Sequence, residues 1–129
     1  MTKFLHILSK SQFKVIFFTA LIVVLYKALT PSTGTPFFHF EHADKVLHAS
    51  AFFLLSFLLN RSSSDISKRI RNIIALLTFG ILIEILQYFT GYREASVGDV
   101  LADLIGILLF QLTYSFLRFL RELRRKRKQ

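Results

Sequence analysis

Four long apolar stretches, separated by short polar connections, dominate the chain. They cover residues 13–29, 43–59, 70–89 and 100–120, and none of them alternates polar and apolar residues along its full length as a strand does. A helix needs roughly 20 predominantly apolar residues to cross a bilayer core of ~30 Å, and each stretch approaches that length. The pattern therefore predicts an all-α integral membrane protein, a bundle of four transmembrane helices that forms a single domain over residues 1–129.

The composition supports a lipid environment. Of 129 residues, 53% are hydrophobic and 15 are Phe, which is more apolar surface than a soluble domain of this size could bury. The first stretch follows basic residues, but no small-x-small cleavage site comes after it, so we expect a retained helix rather than a signal peptide. The chain has no Cys, which excludes disulfides, thiolate metal ligands and a Cys nucleophile.

The basic residues predict the orientation of the bundle. The net charge is +9, but the bases flank the apolar stretches, which indicates membrane topology rather than nucleic-acid binding. If the N-terminus is cytoplasmic, 14 of the 17 Lys and Arg lie on the cytoplasmic side, seven of them in the tail at residues 118–129. Both termini are therefore predicted to be cytoplasmic.

This orientation brings most acidic residues to the outer side. His48, Glu84 and Asp103 come from three different helices and reach a similar depth, about 6–8 Å inside the outer helix ends for the two acids. An ionisable group in hydrocarbon costs at least ~2.5–3.5 kcal/mol, so such groups face the bundle interior and find partners. We predict one outward-facing polar site, formed by Asp44, Lys45, His48, Glu84, Gln87, Arg93, Asp99 and Asp103.

Simpler roles are open for some of these residues. Asp44 and Asp99 stand where helices begin, where an acidic side chain interacts favourably with the helix dipole. The segment "SVGD" at 96–99 resembles a capping box. Ala102 and Gly106 form a small-xxx-small pair, which is typical of close helix packing.

The segments "DKVLHASAF" and "EILQYFTGYREASVGDVLADLIG" together resemble the VanZ-like family of small bacterial membrane proteins. The family pattern is roughly D-K-x-x-H in one helix, followed by E-x-x-Q, an Arg and D-x-x-x-N-x-x-G. The matching residues are Asp44, Lys45, His48, Glu84, Gln87, Arg93, Asp99 and Gly106. Asp103 stands where the family most often has Asn, which adds a potential charge.

The resemblance implies a multi-pass protein of the bacterial cytoplasmic membrane with a cell-envelope role. The family takes its name from a protein linked to teicoplanin resistance, so the resemblance also suggests glycopeptide resistance. It supplies no reaction.

Several functions are compatible with a polar site at the outer end of the bundle. The leading hypothesis is an envelope protein whose site engages a lipid-linked or cell-wall headgroup. The alternatives are a membrane-embedded metal- or acid–base-dependent enzyme at the outer leaflet, a small proton-coupled exporter, and a purely structural cluster. The inner halves of the spans carry few charges, which counts against transport. The ligand, any cofactor or metal, any reaction and the oligomeric state are left open by the sequence.

Overall fold

The computed structural model describes residues 8–30, 43–62, 68–91 and 96–129, and these residues form four α-helices without a strand. The helices are α1 (Lys10–Leu29), α2 (Ala43–Ser62), α3 (Arg69–Thr90) and α4 (Val97–Arg127). The all-helical prediction is confirmed. Helices α1, α2 and α4 extend three or more residues beyond at least one end of their predicted stretches, and α3 extends one residue beyond each end. The largest extension is in α4, whose 31 residues continue as a helix through the basic tail.

Three of the four helices, α1, α3 and α4, are long and apolar enough to cross a membrane. Helix α2 has the same length as α1, but it carries Asp44, Lys45 and His48 in its first turns and Asn60 and Arg61 near its end. These polar residues shorten its apolar segment. Hydropathy therefore supports a membrane protein, although it does not by itself mark α2 as a span.

Helix α2 is nevertheless the central element of the bundle. It packs most extensively against α4 and also contacts α1 and α3. Phe52 and Leu55 of α2 are almost completely buried, and Ile83 of α3 and Ile107 of α4 join them in the interior. The charged residues of α2 lie toward its two ends, whereas its middle contributes Phe52, Leu55 and Leu58 to the buried core.

The outer surfaces of α1, α3 and α4 are strongly apolar. Large exposed side chains include Val15, Ile22, Ile74, Phe89 and Leu112, each more than half accessible. An apolar surface of this extent is not stable in water, but it matches a hydrocarbon environment. Together with the helix lengths, it supports a protein embedded in a lipid bilayer.

The small residues of α4 set its distance from α2. Gly106 is buried, and a Cβ atom added there would lie 2.1 Å from the backbone oxygen of Ala49. Ala102, one turn earlier, is also buried. The small-xxx-small pair therefore lies in a close helix contact, as the sequence predicts.

A separate polar contact joins α3 to α4 at the opposite end of the bundle. The guanidinium of Arg69 donates hydrogen bonds to the side chain and backbone oxygens of Gln111 and to the Ser115 hydroxyl. Its guanidinium carbon also lies 5.6 Å from the centre of the Tyr114 ring. Arg69 is therefore committed to helix packing and stands apart from the acidic residues of the predicted site.

Candidate functional site

A hydrogen bond between His48 of α2 and Asp103 of α4 forms the centre of the candidate site. Nδ1 of His48 lies 2.8 Å from Oδ1 of Asp103, whose side chain is completely buried. Because an ionised carboxylate only accepts hydrogen bonds, Nδ1 is the donating nitrogen. In the neutral imidazole this leaves the Nε2 lone pair free, and Nε2 faces the beginning of α4.

Asp99 lies one turn before Asp103 on α4 and completes this side of the cluster. Its Oδ2 is 4.0 Å from Nε2 of His48, and its Oδ1 is 3.4 Å from Nζ of Lys45. The two oxygens of Asp99 thus face different groups. One is engaged by the half-exposed Lys45, and the other points toward the imidazole.

Glu84 brings α3 into the same cluster. The residue is only 6% exposed, and its Oε2 accepts a hydrogen bond of 3.0 Å from the backbone N–H of Ser96. In a capping box, that N–H would bond to the side chain of Asp99. The predicted capping box is not formed, and Ser96 also makes no side-chain cap bond. Glu84 takes the place of the local partner and ties α3 to the start of α4.

Two carboxylate oxygens of the cluster are buried without a hydrogen-bond partner among the described residues. They are Oε1 of Glu84 and Oδ2 of Asp103. Buried polar atoms in native proteins are nearly always paired with protein, water or a ligand. Two such atoms in one cluster therefore indicate that it holds more than the described side chains.

Gly80 of α3 packs directly against the Asp103 side chain of the cluster. A Cβ atom added there would lie 2.7 Å from Oδ2 of Asp103 and 3.3 Å from the Phe52 ring. Gly80 precedes Glu84 by one helical turn, so both residues lie on the same face of α3. The sequence analysis did not single out this glycine, although its spacing from Glu84 was a usable signal.

The cluster also contains a set of potential metal ligands. His48, Glu84 and Asp99 each offer one ligand atom, and these three atoms lie within 4.8 Å of one another. One imidazole and two carboxylates are a common donor set for divalent transition metals.

An apolar groove between α3 and α4 adjoins the acidic cluster. It has a volume of about 300 Å³, and Glu84 and Ser96 contribute to its lining. The rest of the lining comes from Ile85, Tyr88, Val97 and Val100. Tyr88 and Val97 are 70% and 78% exposed, so the groove opens on the apolar outer surface of the bundle. The groove is not apparent from the sequence, because its walls belong to two helices whose rotation about their axes is set by packing.

The eight predicted site residues are thus only partly brought together. Lys45, His48, Glu84, Asp99 and Asp103 form the cluster. Gln87 is 1% exposed, and its amide donates a 2.8 Å hydrogen bond to the Ala28 carbonyl of α1 instead of joining the cluster. Asp44 is exposed in the first turn of α2. Arg93 lies outside the described residues.

These features define an all-helical membrane protein with a buried acidic cluster between three helices and an apolar groove beside it. The chain belongs to the VanZ/LLP1 family, which matches residues 2–118. An uncharacterised protein of the fission yeast Schizosaccharomyces pombe is 30% identical over 110 residues, which cover 82% of this chain and 64% of that protein. The chain thus spans less than two thirds of the length of this curated relative. No solved structure matches the chain.

Proposed function

We propose that the chain binds the headgroup of a lipid-linked cell-envelope component at the outer end of its helix bundle. The observation that carries this proposal is the position of the acidic cluster beside the apolar groove. Glu84 belongs to both, because its carboxylate lies in the cluster and the residue also contributes to the lining of the groove. A ligand with a polar head and an apolar chain has this same combination of properties.

The groove gives such a ligand a route from the bilayer. Its opening is lined by Tyr88 and Val97 on the outer surface of α3 and α4. A lipid could enter sideways and place its headgroup at the cluster without leaving the membrane. Lys45, whose side chain is 41% exposed, is positioned to contact a phosphate or carboxylate of that headgroup.

In this proposal the single domain crosses a bacterial cytoplasmic membrane four times, with both termini in the cytoplasm. Helix α2 is the fourth span, although its hydropathy is lower than that of the others. The basic helical end of α4, where Arg124, Arg125, Lys126 and Arg127 follow one another, supports a cytoplasmic C-terminus. The site then opens toward the cell envelope, and a role in glycopeptide resistance is one consequence that such a location would allow.

Filling the groove is expected to release the ligand. Val100→Trp adds a large ring to the lining, whereas Ile105→Trp adds the same ring to an exposed position of α4 outside the lining. Mass spectrometry of lipids extracted from the two purified variants and the wild type is the measurement. We expect one lipid class enriched in the wild type and in Ile105→Trp, and reduced at least severalfold in Val100→Trp. Identical lipid profiles for the three proteins would contradict the proposal.

The four-span topology has its own test, because an even number of spans places both termini on the same side. The natural chain has no Cys, so Leu8→Cys and Gln129→Cys each provide a single reactive thiol. With a membrane-impermeant maleimide we expect neither variant to be labelled in intact cells and both to be labelled after lysis. Labelling of only one terminus in intact cells would indicate an odd number of spans and would contradict this topology.

A further inference from the structure

We propose that His48, Glu84 and Asp99 bind a divalent transition-metal ion, Zn²⁺ or Mn²⁺, and that Asp103 positions the imidazole of His48 for this role. The inference rests on the proposed ligand-binding role of the same cluster, and it names an inorganic ligand that can be measured without any lipid.

The first support is the placement of the donor atoms. One atom from each of the three side chains lies within 4.8 Å of the other two. Nitrogen and oxygen ligands lie roughly 2.0–2.2 Å from a bound Zn²⁺, so in a tetrahedral shell two of them are about 3.3–3.6 Å apart. The three side chains must therefore rotate about their own bonds, so that the donor atoms move closer together by up to about 1.5 Å when the ion binds.

The second support is independent of this spacing. Oε1 of Glu84 is buried and has no hydrogen-bond partner among the described residues, while Oε2 is held by the Ser96 backbone N–H. The remaining oxygen is therefore free to bind an ion. The residue is 94% buried, being only 6% exposed, so bulk water does not compensate for the missing partner.

Asp99 and His48, the other two donors, also have one atom engaged by a neighbouring side chain and the other left for the ion. Oδ1 of Asp99 faces Lys45 at 3.4 Å, which leaves Oδ2 on the side of His48. Nδ1 of His48 is bonded to Asp103 at 2.8 Å, which leaves Nε2 with its lone pair toward Asp99. A histidine that binds a metal almost always donates its other N–H to a carboxylate, a carbonyl or water, and Asp103 supplies that carboxylate.

The charges of the cluster also match a divalent cation. Glu84, Asp99 and Asp103 contribute three negative charges when ionised, and Lys45 is the positive side chain that contacts them among the described residues. With a neutral His48, the formal charge of these groups is −2. A bound divalent ion would neutralise it in an environment where uncompensated charge is costly.

The three protein donors leave coordination positions open on the ion. Three protein donors do not complete a tetrahedral shell, and sites of this type keep a position for water or a ligand. A phosphate or carboxylate headgroup that enters along the groove would reach the ion beside Glu84. The metal would then form part of the surface that recognises the headgroup.

Zinc titration of the purified full-length protein tests the ion site directly. The protein is prepared without a polyhistidine tag, stripped with EDTA, exchanged into detergent and titrated against a chromogenic chelator. We expect one Zn²⁺ per chain in the wild type. Glu84→Gln and Asp99→Asn are expected to weaken binding by at least tenfold. Asp44→Asn, which neutralises an exposed carboxylate one turn before His48, is expected to bind as the wild type does.

Asp103→Asn separates a positioning role from a ligand role. The asparagine carbonyl can still accept the bond from Nδ1, so we expect a smaller loss of Zn²⁺ affinity than in Glu84→Gln. Loss of a residue that orients a ligand typically costs about 10–100-fold, which is the loss expected for Asp103→Leu.

Circular dichroism and Zn²⁺-dependent thermal shifts keep the test valid if a variant folds poorly. Zn²⁺ should raise the melting temperature of the wild type and of Asp44→Asn, but not that of helical, monodisperse Glu84→Gln.

Absence of stoichiometric Zn²⁺ and Mn²⁺ binding in the wild type would overturn the ion site, as would equal affinities in Glu84→Gln, Asp99→Asn and the wild type. Lipid enrichment that persists without metal binding would overturn the ion site alone. Metal binding without lipid enrichment would overturn the headgroup proposal alone.

Discussion

Gly106→Ala is expected to disrupt the contact between α2 and α4 and to destabilise the fold more than alanine at either of the other described helical glycines, Gly80 and Gly98. The new Cβ would lie 2.1 Å from the backbone oxygen of Ala49 and 2.9 Å from its carbonyl carbon. Overpacking that displaces side chains typically costs ~1–3 kcal/mol. Here the new methyl group meets backbone atoms, so the helices themselves must separate. We therefore expect the free energy of unfolding to fall by an amount at or above the upper end of that range.

Denaturation of the protein in mixed micelles, followed by circular dichroism, measures this effect. Ile105→Ala is the control, because Ile105 neighbours Gly106 but is 54% exposed on the outer surface of α4. We expect the control to unfold close to the wild-type midpoint and Gly106→Ala to unfold at a much lower denaturant concentration. Equal midpoints for Gly106→Ala and the wild type would show that the two helices do not meet at this residue.

His48→Ala is expected to have the second large effect on stability. It removes the hydrogen-bonded partner of Asp103, a carboxylate that is completely buried. Removing the partner of a buried charge typically costs ~3–5 kcal/mol, since the carboxylate then remains buried without compensation. The same assay should therefore show a lower midpoint for His48→Ala, whereas Ser50→Ala, at an exposed position of α2, should leave it nearly unchanged.

The double variant identifies the cause of the loss. In His48→Ala with Asp103→Asn the uncompensated charge is removed, so stability should partly recover relative to His48→Ala alone. Because the two residues are in direct contact, their effects should be clearly non-additive. A double variant that is less stable than either single variant by the sum of the two effects would contradict a paired role.

Helix positions and the composition of the cluster were largely predictable from the sequence. Long apolar stretches are sufficient to locate helices, and the cost of burying an ionisable group is sufficient to predict that His48, Glu84 and Asp103 turn inward. The structure brings His48 and Asp103 into direct contact and places Glu84 in the same cluster. Depth along the helices was therefore a good guide to proximity.

The features that the sequence did not predict all depend on how the helices are rotated about their axes. Gln87 lies three residues after Glu84, but its amide reaches the Ala28 carbonyl of α1 rather than the cluster. The Ser96 N–H bonds to Glu84 instead of the local Asp99, because α3 approaches the start of α4 closely enough to compete. Tertiary contact decided both outcomes, and a local motif such as "SVGD" could not show it.

The proposed function depends on the position of the acidic cluster beside the apolar groove. Glu84 has one oxygen held by the Ser96 backbone and the other buried without a partner among the described residues. Glu84 is thus a link between helices, and we propose that its second oxygen also binds a ligand.

We propose that the cluster recognises the headgroup of a lipid held in the groove. Native mass spectrometry of the protein released from micelles tests it most directly, with Glu84→Gln compared with wild type and with Asp44→Asn as the matched control. We predict a wild-type complex that retains one phosphate- or carboxylate-bearing lipid. The same complex should persist in Asp44→Asn and be lost in Glu84→Gln. A lipid-free wild-type protein, or an identical bound lipid in all three proteins, would contradict recognition of a lipid headgroup by the cluster.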